Sequence, residues 1–205
     1  MSKSSNQSSK GKQDRFERQR CRFLPLALAD MMLIEPPRIG DARGWFSEIY
    51  SKRTFAENGV DLEFVQDNIS FSTAVGTARG LHYQSGPFAQ HKLVLVLHGR
   101  ILDVAVDIRK QSPTFGEHVG TDLSAENRRA LLVPAGFAHG FVTREPDTIV
   151  MYKVTQFYAP DHDHGIFWAD PELGIDWGIG EADAILSTKD LALPRLAEAD
   201  HLSTQ

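Results

Sequence analysis

Short apolar runs alternate with turn-forming residues along the chain from about residue 23 to about residue 170. Runs rich in Val, Ile and Leu that are bounded by Gly, Pro, Asn or Asp indicate β-strands. The clearest runs are Leu93–Leu97, Ile101–Ile108, Ala130–Val133 and Thr148–Val154. Because these strands are closely spaced and few helical stretches separate them, the pattern predicts an all-β sandwich or barrel.

Helical segments are few and short. We expect one helix over Ser51–Asn58, a second near Pro171–Leu173 and a third within Asp183–Leu196. The chain has no internal repeat and no inter-domain linker, so residues 23–197 are predicted to form one domain, followed by a tail at 198–205.

Composition limits the class of protein. The chain has 205 residues, of which 41% are hydrophobic and 24% charged, and this is enough for one well-buried core. No apolar run approaches the ~20 residues of a membrane span. The first residues lack the apolar segment of a secretory signal, and the single Cys21 forms no internal disulfide. We therefore expect a cytoplasmic protein without membrane contact.

Charge is distributed unevenly. Residues 1–22 contain seven Lys or Arg and two acidic residues, which gives 7 − 2 = +5, whereas the whole chain is −5 and the remainder therefore −10. A basic tail is compatible with nucleic-acid binding, but Phe16 is its only aromatic residue. We expect a disordered, solubilising extension and no nucleic-acid partner.

One candidate for chemistry is the segment 79–84, Arg-Gly-Leu-His-Tyr-Gln. Arg79 and His82 would lie on opposite faces of a regular strand, since side chains alternate. Gly80 between them is typical of a bulge or bend, which would re-aim the two side chains. A single histidine in a barrel strand is more often structural, so this segment alone does not decide the function.

Two further clusters are ambiguous by themselves. In the segment 134–141, Pro-Ala-Gly-Phe-Ala-His-Gly-Phe, either His139 is presented for binding or the aromatic residues close one end of the barrel. Tyr152 and Lys153 lie on a predicted strand, where tyrosines usually serve packing.

Metal binding is disfavoured by the spacing of potential ligands. His162 and His164 have an alternating spacing, but they follow Pro160 in a predicted loop, which favours a solvated turn. Cys-x-x-Cys, phosphate-loop, dinucleotide-glycine and Gly-x-Ser-x-Gly patterns are absent from the sequence. The sequence therefore predicts neither a metal nor a cofactor.

Taken together and in order, the clusters resemble the dTDP-4-dehydrorhamnose 3,5-epimerase family over roughly residues 24–195. The matching segments are 41–48 (DARGWFSE), 64–68 (FVQDN), 79–84 (RGLHYQ), 92–94 (KLV), 103–109 (DVAVDIR), 112–116 (SPTFG), 123–127 (LSAEN), 136–141 (GFAHGF), 152–153 (YK), 174–177 (GIDW) and 186–190 (LSTKD). A set of this size in one order is far more specific than any single motif.

The resemblance implies a homodimeric, metal-independent barrel of the cupin jelly-roll type with the site inside it. It implies that His82 is the base, Asp190 the carboxylate that orients it, Tyr152 the acid on the other side of the sugar, and Lys92 a cation near the keto oxygen. It also implies a set of substrate-binding residues, some of them from the partner subunit: Arg43, Phe46, Glu48, Gln66, Asn68, Arg79, His139, Asp163 and Lys189.

The implied reaction converts dTDP-4-keto-6-deoxy-D-glucose to dTDP-4-keto-L-rhamnose in deoxysugar and polysaccharide biosynthesis. The keto group at carbon 4 acidifies the hydrogens on carbons 3 and 5, and inversion needs a base on one face and an acid on the other. Histidine, with an ordinary pKa of ~6.5, suits the first role and tyrosine, at ~10, the second. A carboxylate steadies the imidazolium, and a lysine stabilises the enolate.

Several positions depart from the family pattern. Ile69 stands where the family has histidine, Leu95 where it has arginine, and Asp163 where it often has glutamate; the late tyrosine pair reads Phe157-Tyr158. Alternatives are therefore a mono-epimerase acting at carbon 3 or 5 on a related sugar, or a non-catalytic nucleotide-sugar-binding barrel. A keto-isomerase is a third alternative, which Tyr152 disfavours.

Overall fold

The computed structural model describes residues 20–199, which are organised around two antiparallel β-sheets packed face to face. Of the predicted tails, residues 1–19 and 200–205 lie outside the described residues. The strands are β1 (Arg22–Pro25), β2 (Met32–Glu35), β3 (Ile39–Asp41), β4 (Gly44–Phe46), β5 (Gln66–Ser72), β6 (Ala78–Gln84), β7 (Lys92–His98), β8 (Arg100–Asp107), β9 (His118–Ser124), β10 (Ala130–Val133), β11 (Phe137–Thr143), β12 (Thr148–Val154) and β13 (Asp163–Gly165).

Strand order defines the two layers. One sheet runs β1-β2-β10-β7-β12-β5 and the other β13-β6-β11-β8-β9, while β3 and β4 form a separate hairpin. The paired strands of both sheets are antiparallel, and neighbours in a sheet are often distant in sequence, as in a jelly roll. The predicted all-β fold is confirmed, and the four clearest apolar runs correspond to β7, β8, β10 and β12.

The two sheets enclose the central core. Along β7, Val94 and Val96 face this core, whereas Leu93 and Leu95 face a second cluster on the outer side of the sheet. The strand is therefore buried on both faces, which explains why its sequence is a continuous apolar run rather than an alternating one. A third cluster packs the C-terminal segment, with Trp168 and Trp177, against the outer face of the other sheet.

Within the described part of the chain, two short α-helices accompany the sheets. Helix α1 (Lys52–Glu57) follows Ser51, whose hydroxyl accepts a hydrogen bond from the Thr54 amide, and it buries Phe55 in the outer cluster. Helix α2 (Thr188–Leu191) begins after Ser187 in the same way and buries Asp190. Single 3-10 turns cover Gly86–Phe88, Pro160–His162, Glu181–Asp183 and Leu196–Glu198. None of the helices within residues 20–199 is long and apolar enough to span a membrane.

The expectation of a helix near Pro171–Leu173 is wrong, because the segment forms a hydrogen-bonded turn. The Asp170 carboxylate accepts hydrogen bonds from the amides of Glu172 and Leu196, at 3.1 and 2.8 Å. Such a side chain competes with helical hydrogen bonding and favours a turn. The helices expected over Ser51–Asn58 and within Asp183–Leu196 are present.

Candidate active site

Polar side chains occupy inward-facing positions of the sandwich, where apolar residues would be expected. Along β8, Ile101 and Ala105 belong to the central core, so Asp103 between them faces inward as well. By the same alternation, Lys92 lies on the same face of β7 as the core residues Val94 and Val96. On β11, His139 lies between the core residues Phe137 and Phe141 and faces inward as they do. Packing alone does not explain several buried polar side chains so close together. They lie beside a cavity, which accounts for their inward positions.

The cavity has a volume of about 450 Å³ and lies between the sheets. Its wall includes seven of the predicted site residues: Arg79, His82, Lys92, His139, Tyr152, Lys189 and Asp190. A smaller cavity of about 220 Å³ shares four of these residues and adds Gln66, Asn68 and Asp163. The two form one continuous cleft, which we call the catalytic cavity. Ten of the thirteen predicted site residues therefore lie together.

A bulge in β6 places Arg79 and His82 on the same face. His82 pairs with His139, and Arg79 with Phe141, so two residues of β6 lie opposite the single Gly140 of β11. The extra residue cancels the alternation, and both side chains point into the cavity. The bend expected at Gly80 is therefore present.

His82 forms a short pair with a buried carboxylate. Its Nε2 lies 2.6 Å from Oδ1 of Asp190, and the Asp190 side chain is almost fully buried. Burial alone would raise the pKa of Asp190, but the hydrogen bonds from His82 and from the hydroxyl of Ser187, with the His82 charge, hold that pKa below its usual value. The carboxylate thus stays ionised, fixes the imidazole and stabilises its protonated form.

Lys92 is a buried cation next to this pair. Its Nζ donates a hydrogen bond to the backbone carbonyl of His82 at 3.1 Å. Burial lowers the pKa of Lys92 to about 8, although the charges of Asp163 and Asp103 oppose the shift. A lysine so placed has little solvation to lose when it meets a developing negative charge in the cavity.

Tyr152 comes from the opposite sheet. It lies on β12 between Val94 of β7 and Asn68 of β5, and it lines the same cavity as His82 of β6. Burial raises the pKa of the Tyr152 phenol, and the neighbouring Arg79 charge offsets part of the shift. The hydroxyl is therefore protonated at neutral pH and faces the cavity from the side opposite His82.

A second histidine–carboxylate pair was missed by the sequence interpretation. Both oxygens of Asp103 lie within 3.0 Å of Nε2 of His139, and the Asp103 side chain is fully buried. The sequence did carry a signal, because Asp103 interrupts the apolar run of β8 at an inward position. The pair places an oriented imidazole beside His82 in the cavity wall.

The outer part of the cleft is held by Asp163. Its Oδ2 accepts hydrogen bonds from Nζ of Lys189 at 2.6 Å and from the Tyr158 hydroxyl at 3.2 Å. The hydrogen bond with Asp163 raises the pKa of Lys189. Along β5, the side-chain amide of Gln66 donates a hydrogen bond to the side-chain carbonyl of Asn68 at 2.8 Å. Amide groups and charged side chains therefore line the entrance to the cavity.

Three predicted binding residues lie outside the cavity of their own chain. Arg43 is at the tip of the β3–β4 hairpin and pairs with Asp41 at 2.6 Å; Phe46 is 66% exposed, and Glu48 is exposed after the hairpin. Their roles stay predictions.

His162 and His164, the alternating pair, both hydrogen-bond the Ser85 hydroxyl at 3.1 Å. They therefore tie β13 to the end of β6 rather than forming a solvated turn. No group of three or more potential metal-ligating residues occurs within residues 20–199.

The cavity thus combines a carboxylate-supported imidazole on one sheet, a protonated phenol on the other, and a buried ammonium beside them. Apolar walls reduce the local dielectric and strengthen each charge. This arrangement is suited to removing a carbon-bound proton on one face of an activated carbonyl compound and returning one on the other.

Comparison with known proteins is consistent with this chemistry. The model of the dTDP-4-dehydrorhamnose 3,5-epimerase family matches residues 25–198. The dTDP-4-dehydrorhamnose 3,5-epimerase of Pseudomonas aeruginosa is 51% identical over 176 residues, which cover 85% of this chain and 96% of the relative. That of Sinorhizobium fredii is 49% identical over 176 residues, which cover 86% and 90%.

Solved structures show the same similarity. The dTDP-4-dehydrorhamnose 3,5-epimerase of Bacillus anthracis, with TDP and PPi bound, has a TM-score of 0.83 and 51% identity, covering 85% of this chain and 99% of that one. An epimerase of Legionella pneumophila in complex with dTDP-4-keto-L-rhamnose has a TM-score of 0.86 and 43% identity, covering 91% and 99%.

Proposed function

The chain belongs to the dTDP-4-dehydrorhamnose 3,5-epimerase family, and we propose that it converts dTDP-4-keto-6-deoxy-D-glucose to dTDP-4-keto-L-rhamnose by inversion at carbons 3 and 5. The observation that carries the proposal is the His82–Asp190 pair at 2.6 Å in a cavity that Tyr152 faces from the other sheet. The product supplies deoxysugar and polysaccharide biosynthesis.

Proton removal is assigned to His82. Its imidazole takes a proton from carbon 3 or carbon 5, and the electron pair of the broken C–H bond delocalises onto the carbon 4 oxygen as an enolate. Asp190 stabilises the imidazolium that results, while Lys92 stabilises the enolate oxygen. Arg79 and His139, in the same wall, bind anionic and carbonyl oxygens of the substrate.

Proton return is assigned to Tyr152. Because it faces the cavity from the sheet opposite His82, its hydroxyl can donate to the other face of the planar enolate, which inverts the carbon. The phenolate then regains a proton from solvent and the His82 imidazolium releases its proton to solvent, after which the cycle repeats at the second carbon. Inversion at carbons 3 and 5 thus uses one acid–base pair.

The reaction can be tested by incubating the protein with dTDP-4-keto-6-deoxy-D-glucose in deuterated water and following the ring hydrogens by NMR. Exchange at both carbons supports the proposal. Exchange at one carbon identifies a mono-epimerase, in which the departures at Ile69, Leu95 and Asp163 become the residues to reverse. Absence of exchange, with binding intact, identifies a non-catalytic barrel.

A homodimer is part of the proposal. The β3–β4 hairpin exposes Trp45 and Phe46, and the edge strand β5 exposes Ile69 and Phe71. Exposed apolar groups on a hairpin and on a sheet edge favour an interface between copies. Since β5 also carries Gln66 at the cavity, a partner's hairpin seated there would bring the partner's Arg43, Phe46 and Glu48 to the substrate.

Subunit complementation tests this arrangement. Arg43→Ala and His82→Asn, each weakly active alone, are expected to recover about a quarter of wild-type activity when co-expressed in equal amounts. Half of randomly assembled dimers are mixed, and each mixed dimer has one intact site. The matched control pairs His82→Asn with Asp190→Asn, which lie in one chain's site and should not recover. Absence of recovery in the first pair as well would contradict a shared site.

The rate should also fall on the alkaline side. Lys92 must be charged to stabilise the enolate, and its pKa of about 8 means that it loses its proton well below the usual range of lysine. We therefore expect kcat/KM to decline as pH rises through about 8. Lys92→Arg, which keeps its charge, should be slower but should lose this alkaline limb. An unchanged limb in Lys92→Arg would assign it to another group.

A further inference from the structure

A second polar cavity, of about 470 Å³, lies near the sheet edge formed by β1 and β2, at the opposite end of the sheet from β5. We call it the arginine pocket. Five arginines and two glutamates line it: Arg20, Arg22, Arg38, Arg128, Arg129, Glu35 and Glu126. It shares no residue with the catalytic cavity.

The lining charges do not balance. Five arginines and two glutamates give 5 − 2 = +3, although the whole chain is −5. Glu35 is shared between Arg22 at 2.8 Å and Arg129 at 3.1 Å. Within residues 20–199, neither Arg38 nor Arg128 has a carboxylate within 4 Å. Arg20 likewise forms no ion pair, so three guanidinium groups of the pocket lack a counter-charge among the described residues.

Arg128 shows the imbalance most clearly. Its Nε and Nη1 atoms are buried and have no hydrogen-bond partner among residues 20–199. Its Cζ lies 5.2 Å from the centroid of the Trp45 ring, and Cζ of Arg38 lies 5.6 Å from the same centroid. Burial and the charge of Arg38 lower the pKa of Arg128. A cation–π contact of about 0.5–2 kcal/mol does not replace the lost hydrogen bonds of a guanidinium.

We propose that the arginine pocket binds a small phosphate-bearing anion, preferably a diphosphate, at a site separate from the catalytic cavity of the same chain. Arginine is the side chain best suited to phosphate oxygens, because its planar fork donates two parallel hydrogen bonds. The net positive charge of the lining complements the two or more negative charges of a diphosphate. The Trp45 ring contacts the guanidinium groups of Arg38 and Arg128, so it is the optical reporter of their occupancy.

The test uses inorganic pyrophosphate as the probe and the full chain as the protein. Trp168 and Trp177 are buried in the core, whereas Trp45 is 52% exposed, so a change in tryptophan emission reports mainly on Trp45. We expect pyrophosphate to change that emission, and calorimetry to detect a binding event that Arg38→Gln/Arg128→Gln weakens by at least about tenfold. The emission response should persist in Arg79→Gln, where the catalytic cavity has lost a cation.

The matched control is Arg100→Gln, because Arg100 is an exposed arginine that pairs with Asp122 outside the pocket. It should bind pyrophosphate as the wild type does. Unchanged Trp45 emission at saturating pyrophosphate, or equal affinity in the Arg38→Gln/Arg128→Gln variant when its melting temperature is unaltered, would overturn the proposal. A change of oligomeric state in that variant without ligand would instead assign the pocket to contact with a second copy.

Discussion

His82→Asn is expected to reduce turnover by about 10²- to 10⁴-fold and to stop deuterium incorporation at both carbons, since this is the range that a positioned acid–base group contributes. Asparagine cannot accept a proton from carbon, and its shorter side chain does not reach the position of Nε2, the His82 atom that lies 2.6 Å from Asp190. NMR of the substrate in deuterated water measures both quantities in one sample.

Binding and folding must be checked separately in this variant, because Asp190 is a buried carboxylate that loses an ionic partner. Retained affinity for dTDP and an intact melting transition show that the cavity persists. His98→Asn is the matched control: His98 lies at the exposed end of β7 and bonds the Asp147 carbonyl. Deuterium exchange in folded His82→Asn at the wild-type rate would remove His82 from the reaction.

Tyr152→Phe is expected to separate proton exchange from inversion. Without the phenol, His82 still removes the proton and, after exchange with solvent, returns deuterium to the same face. Product formation should therefore fall by about 10²-fold or more, whereas deuterium incorporation into unconverted substrate should persist. The measurement is the ratio of exchange to inversion at each carbon.

The matched control for this variant is Tyr50→Phe. Tyr50 packs its ring against Phe55 and Phe64 in the outer cluster of the six-stranded sheet and lines neither part of the catalytic cavity. It should keep the wild-type ratio of exchange to inversion. Equal losses of exchange and inversion in Tyr152→Phe would contradict a donor role and would indicate that the hydroxyl orients substrate instead.

The strand content could be predicted from sequence because apolar runs between turn residues are local signals. The runs at 93–97 and 130–133 needed no knowledge of their partners. Pro171–Leu173 failed because its outcome depends on Asp170, whose carboxylate caps both a local amide and the distant Leu196. Local helix propensity carries no information about the contact with Leu196, which is distant in sequence.

Local sequence patterns did not predict which site residues lie together in the folded chain. His82 and Asp190 are 108 residues apart, and only the resemblance linked them. Asp103 was visible as a polar interruption of a buried strand, but its pairing with His139 depends on the register of β8 and β11. The hairpin residues Arg43, Phe46 and Glu48 lie outside the catalytic cavity of their own chain, so neither pattern nor fold places them against a substrate.

The bulge in β6 makes the activity of this protein more fragile than its fold. A side chain on Gly80 would bring its Cβ within 2.6 Å of the Gly140 Cα and 2.7 Å of the His139 carbonyl oxygen, so glycine is required at the crossing. The simplest relief is to realign β6 by one residue, which would point Leu81 into the cavity and His82 out of it. Such a chain could still build both sheets and be made normally by the cell while doing no chemistry. Loss of function at this position would therefore be invisible to assays of abundance or solubility.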